Sequence, residues 1–136
     1  MTRPALAGVL AGLLAGGASA AAHHSIAAVY DGNRRVTVTG AVREFRFVNP
    51  HPWMTVAAID DRGREQAWRL ELDNLFELQG IGVTADTWRP GDRVIAMGSP
   101  SRDGVSALYV RQLDRPADGF RYEQVGTSPR VRIVPR

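Results

Sequence analysis

Cysteine is absent from the 136 residues, and so is lysine. Without cysteine there is no disulfide framework, no thiolate metal site and no cysteine nucleophile. All 17 basic side chains are Arg, set against 14 acids for a formal charge of +3. Other absences narrow the chemistry further. Glycine-rich phosphate loops and the nucleophile-elbow motif are missing, and Ser25 beside two histidines does not make a triad. Asp60-Asp61 lacks the remaining oxygen ligands of a calcium loop. No catalytic constellation is present. There is no internal repeat, and beyond the N-terminus no apolar run approaches the ~20 residues of a membrane span. What is present is 44% apolar residues, normal for one globular domain.

The first 22 residues read as an export signal. Arg3 is the positive start, Ala5 to Gly17 is an uncharged run of Ala, Leu and Gly, and small residues fill positions 18–22. Cleavage after Ala20, Ala21 or Ala22 satisfies the small-residue rule, and the mature protein is expected in the periplasm or outside the cell. The charge then divides unevenly. Residues 115–136 hold five Arg against Asp118 and Glu123, while Ala21 to Asp114 holds 11 Arg against 12 acids. The basicity belongs to the tail. With export, this disfavours nucleic acid as a partner.

Residues 23–114 read as five strands and one helix. Val36, Val38 and Val42 share one face of a long first strand (Arg34 to Val48), but Phe45 and Phe47 fall on the other phase. A bulge or sharp coil absorbs such a slip. Trp53 to Ile59 is apolar on both faces, like a central strand, and Asp60-Asp61-Arg62-Gly63 forms a turn. In Gln66 to Leu72, Trp68, Leu70 and Leu72 alternate with Arg69 and Glu71, the latter two reading as an ionic pair. Asn74 with Glu77 resembles a capping box, and Gly80 ends the helix. Pro90-Gly91-Asp92 launches Arg93 to Met97, and Ser101 to Gly104 turns into a last strand, Val105 to Leu113. The order β-β-β-α-β-β predicts a mainly β fold, a small five-stranded OB-like antiparallel barrel with one short helix. A plain antiparallel sandwich is the competing architecture. Residues 115–136, rich in Arg and Pro, read as a mobile tail in which Val131 to Val134 could add an edge strand.

Every histidine lies where a ligand is useful. His23 and His24 flank the mature N-terminus, and His51 sits between Pro50 and Pro52, a stiff corner that holds its side chain before binding. Imidazole suits Cu, Zn and Ni, and a free α-amino group beside an early imidazole chelates Cu(II). Glu71 is a candidate oxygen ligand. The competing roles are solvated polar residues for the His pair and a fixed turn for Asn49-Pro50-His51-Pro52. Met54 and Met97 read as core filling, as does Trp68, rather than as Cu(I) ligands or a stacking platform.

These motifs carry a resemblance. His23-His24-Ser25, Val36-Thr37-Val38-Thr39-Gly40, Asn49-Pro50-His51, Trp68 to Glu71, Pro90-Gly91-Asp92 and a Gly-x-Pro-like turn at Gly98-Ser99-Pro100 follow in that order. Over His23 to Leu113 the chain resembles a family of small exported bacterial proteins classed as a domain of unknown function. The resemblance implies a cut just before His23 and brings no activity with it. The expectation is therefore a periplasmic or secreted barrel that binds a metal ion, copper before zinc, through His23, His24 and His51, with Glu71 nearby. The alternative is a metal-independent module for an oligosaccharide, peptide or envelope protein, sensitive to Arg69 or Glu71.

Overall fold

The computed structural model describes residues 25–135. The export segment and its cleavage positions, with His23 and His24, lie outside the described residues. In chain order the elements are α1 (Ile26–Val29), β1 (Val36–Arg46), β2 (Trp53–Ile59), β3 (Glu65–Glu71), α2 (Leu75–Gly80), β4 (Arg93–Pro100), β5 (Ala107–Arg115), β6 (Phe120–Val125) and β7 (Ser128–Ile133). The strands form one sheet ordered β3-β2-β1-β4-β5-β6-β7, and an added β3–β5 pairing closes the first five into a barrel. All pairs are antiparallel except the closing one, where Arg69, Leu70 and Glu71 run parallel to Ala107, Leu108 and Tyr109.

The slip in β1 is a bulge. Val42 pairs with Val56 and Glu44 with Thr55, so Arg43 is the extra residue. Upstream, Val38 and Val42 are buried; downstream, Phe45 and Phe47 pack on the same core. One inserted residue lets β1 serve both neighbours while its apolar side chains stay inside. Gly40 sits where β1 crosses β2, and a Cβ there would lie 2.2 Å from the Ala57 carbonyl oxygen.

The barrel is filled by Met54, Val56, Leu70, Leu72, Val94, Leu108, Val110 and Leu113, all fully buried. Leu78 of α2 joins them, and Trp88 plugs the interior edge-on to Phe45, Phe120 and Tyr122. Asn74 caps α2 as expected: its Oδ1 accepts from the Glu77 amide at 2.9 Å, and its Nδ2 donates back to Glu77 Oε2 at 2.6 Å.

Three expectations need correction. Residues 120–133 are not a mobile tail: β6 and β7 form a hairpin on β5, with Tyr122 fully buried. Its basic residues are paired locally, Arg115 with Asp92 and Asp118, Arg121 with Asp114, and Arg130 and Arg132 with Glu123. Gly98-Ser99-Pro100 is not a turn but the end of β4, held against β5, where a Gly98 Cβ would meet the Tyr109 carbonyl at 2.2 Å. Arg69 and Glu71 do not pair with each other. Arg69 stacks on the Trp53 ring at 4.2 Å, and Glu71 takes a hydroxyl from Tyr30.

Candidate functional site

His51 and Glu71 come together at the rim of the barrel. The corner before β2 clamps the end of β3, with the Leu72 amide donating to the Pro52 carbonyl at 2.9 Å and the Leu75 amide to Pro50 at 3.2 Å. This docking sets the imidazole: His51 Nδ1 lies 2.9 Å from the Leu72 carbonyl and 3.9 Å from Glu71 Oε1. A carbonyl only accepts, so the proton of that bond is on Nδ1, and a neutral ring then carries its lone pair on Nε2. The side chain keeps 28% of its surface exposed, and its Nε2 makes no hydrogen bond among the described residues. Glu71 is turned the other way, accepting the Tyr30 hydroxyl at 2.6 Å. Among the described residues no three His, Cys, Asp or Glu side chains are grouped to hold a metal ion. His51 with Glu71 is a pair.

A second polar centre lies outside the β3–β5 seam, built from residues the sequence reading did not select. Asp73, 5% exposed, accepts from three donors: the Tyr109 hydroxyl, the Tyr122 hydroxyl at 2.5 Å and the Gln124 amide at 2.6 Å. Gln124 also donates to the Tyr109 oxygen at 2.8 Å and accepts from Arg111 Nη1. The Arg111 guanidinium lies over the Tyr109 ring at 5.2 Å. Burial first, then Asp73, pushes the Tyr109 and Tyr122 phenols far above the ordinary tyrosine value. Tyr30 is raised as well, by burial and then by its bond to Glu71. All three phenols therefore remain donors. The one legible trace of this centre is the alternation of Phe120, Tyr122 and Gln124 against Arg121 and Glu123.

The N-terminal segment is fastened beside this centre. Tyr30 bridges Ser101, the Asp31 amide donates to the Pro100 carbonyl, and Arg102 donates to the carbonyls of Ala27 and Val29. Ile26 and Ala27 wall a cleft of about 310 Å³ whose other sides include Tyr30, Asp73, Tyr109, Arg111 and Gln124.

Comparison with known proteins adds the following. Among solved structures the chain is similar to a crystal structure of TiaS in complex with an isoleucine transfer RNA and ATP, with 13% identity and a TM-score of 0.45. That likeness covers 79% of this chain and 30% of the other, so the chain spans under a third of that protein's length. No curated protein matches. A family model described as a family of unknown function (DUF6152) matches residues 10–108. That match runs from the N-terminal apolar segment into β5, and the protein belongs to the DUF6152 family.

Proposed function

We propose that the protein is an exported, periplasmic or secreted binding protein whose ligand is a transition-metal ion, copper in preference to zinc. His51 and the early pair His23 and His24 are the ligands in this reading. One observation carries it: the His51 ring is tied through Nδ1 to the Leu72 carbonyl, which leaves Nε2 as the free donor. Metal-bound histidines are held in this way, with one nitrogen on the metal and the other bonded to a carbonyl or carboxylate that fixes the ring. Glu71 stands behind the ring in this reading, 3.9 Å from Nδ1, and assists orientation rather than occupying the coordination sphere. The other donors come from the chain start, where an α-amino group and adjacent imidazoles make a nitrogen-rich set suited to Cu(II).

Calorimetric titration of the processed protein with Cu(II) and with Zn(II) tests the proposal. A saturable site is expected, tighter for Cu(II), and weakened at least about ten-fold by His51→Ala or His24→Ala. Unchanged affinity in the double variant would remove the imidazole site. A residue added ahead of the mature N-terminus is expected to weaken Cu(II) further; if it has no effect, the amino group is not a ligand.

A further inference from the structure

The cleft between the N-terminal segment and the β6–β7 turn contains a cation with an unusual status. In the β4–β5 ladder Met97 pairs with Gln112 and Gly98 with Val110, so Arg111 is the extra residue of a bulge. Bulges re-aim side chains, and this one directs a half-buried arginine to the cleft wall. The four arginines of the neighbouring hairpin and its approach, Arg115, Arg121, Arg130 and Arg132, all meet carboxylates. Arg111 meets none among the described residues. Its Nη1 donates to the neutral Gln124 oxygen, while its Nε is buried without an acceptor. Asp73, the carboxyl group lining the cleft, is already engaged by Tyr109, Tyr122 and Gln124 and connects to Arg111 through Gln124 and the Tyr109 ring rather than by an ion pair. A partly desolvated guanidinium without an anion is costly, and its planar fork suits a carboxylate.

The geometry points to a binding site for a small carboxylate in this cleft, with the anion on Arg111 and an apolar body against Ile26 and the rings of Tyr30 and Tyr109. Those two rings stand 5.9 Å apart and form a continuous aromatic wall. About 310 Å³ suits a ligand of small-molecule size. Arg35 adds a further positive charge nearby, donating to Ser99 Oγ at 3.3 Å, and Ser99 lines the same cleft. Asp73 opposes a second negative charge, which favours a monoanion over a dianionic phosphate. The site uses none of the residues assigned to metal, so the two proposals can fail separately.

The probe is sodium benzoate, titrated into the processed protein at constant ionic strength and followed by amide chemical shifts. Sodium phosphate and sodium chloride form parallel arms. Saturable shifts in the millimolar range are expected for benzoate, centred on Tyr30, Tyr109 and Arg111, with none for chloride and weak ones for phosphate. Arg111→Gln should weaken benzoate at least about ten-fold, and Arg111→Lys less, because the charge remains and the fork is lost. Ala27→Trp fills the cleft from its exposed wall while leaving every residue of the Asp73 centre unchanged, and should abolish the shifts even if Arg111→Gln does not fold. No saturation with benzoate, or saturation unaffected by Ala27→Trp, would overturn the site. Equal binding of phosphate would overturn its restriction to carboxylates.

Discussion

At the residue scale, Asp73 shows how a buried polar group is made tolerable. Burying a carboxyl group costs several kcal/mol unless donors replace water, and here two phenols and an amide do so. Asp73→Ala strands the two phenol hydroxyls and leaves Gln124 only its bond to the Tyr109 oxygen. Urea unfolding should show a loss of about 3 kcal/mol or more, against a change within about 0.5 kcal/mol for an exposed carboxylate such as Asp61. Gly40 is demanding for a different reason. A Cβ there overlaps the Ala57 carbonyl, so Gly40→Ala should cost upward of about 2 kcal/mol. Gly80→Ala, with open space around it at the end of α2, should gain a few tenths to about 1 kcal/mol. The sign of each change follows from what lies beside the glycine. His51 and Glu71 were legible as candidates because proline corners and alternation are local signals. Asp73 was not, because its donors come from positions 36, 49 and 51 residues away.

At the scale of elements, the local signals that succeeded are those with a backbone consequence. The phase slip in β1 predicted a bulge, and Arg43 is its extra residue. The Asn74–Glu77 pair predicted a cap, and Asn74→Ala should cost about 1 kcal/mol in thermal or urea unfolding. Of the β6–β7 hairpin the sequence offered only a possible edge strand at Val131 to Val134, because its glycines and prolines suggested punctuation rather than pairing. Yet Gly126 adopts φ +63° in the tight turn, and Pro129 is accommodated in β7, which pairs only with β6. The hairpin is fastened by Glu123, which accepts from Arg132 at 2.7 Å and Arg130 at 2.8 Å. These bonds hold its carboxyl below the ordinary glutamate value of 4.5, with the Arg132 bond the larger cause. A depressed folded-state value means the stabilisation is present above pH 4.5 and lost as pH falls through the folded value. Glu123→Gln should therefore lower the melting temperature near neutral pH, and the difference should close on acidification. A difference that persists unchanged at low pH would assign the role of Glu123 to packing.

At the scale of the whole molecule, barrel closure organises everything else. The parallel β3–β5 seam brings Glu71 beside Tyr109, and the outer side of that seam carries both the His51–Glu71 pair and the Asp73 centre. The order β-β-β-α-β-β contained this closure, because a helix between the third and fourth strands fits a barrel better than a sandwich. The hairpin added beyond it was not implied by that order. The chain has three tyrosines, and all three ionise far above the usual value of 10. Their protonated forms are favoured in the folded state, so stability is intact below pH 10 and falls as pH rises beyond it. Ultraviolet titration of tyrosinate should accordingly show no phenol ionising around pH 10 while the protein stays folded, then a joint release on alkaline unfolding. One phenol titrating reversibly near pH 10 in folded protein would break this account of the seam.

The central claim is that export creates a nitrogen-rich chain start which, with His51, binds a metal ion. Intact mass and metal content, measured together on protein recovered from the cell envelope or medium, test it most directly. The account predicts a mature chain beginning at Ala21, Ala22 or His23 that carries stoichiometric copper. A chain that retains its first 20 residues, or a correctly cut chain free of transition metal in copper-replete cells, would contradict it.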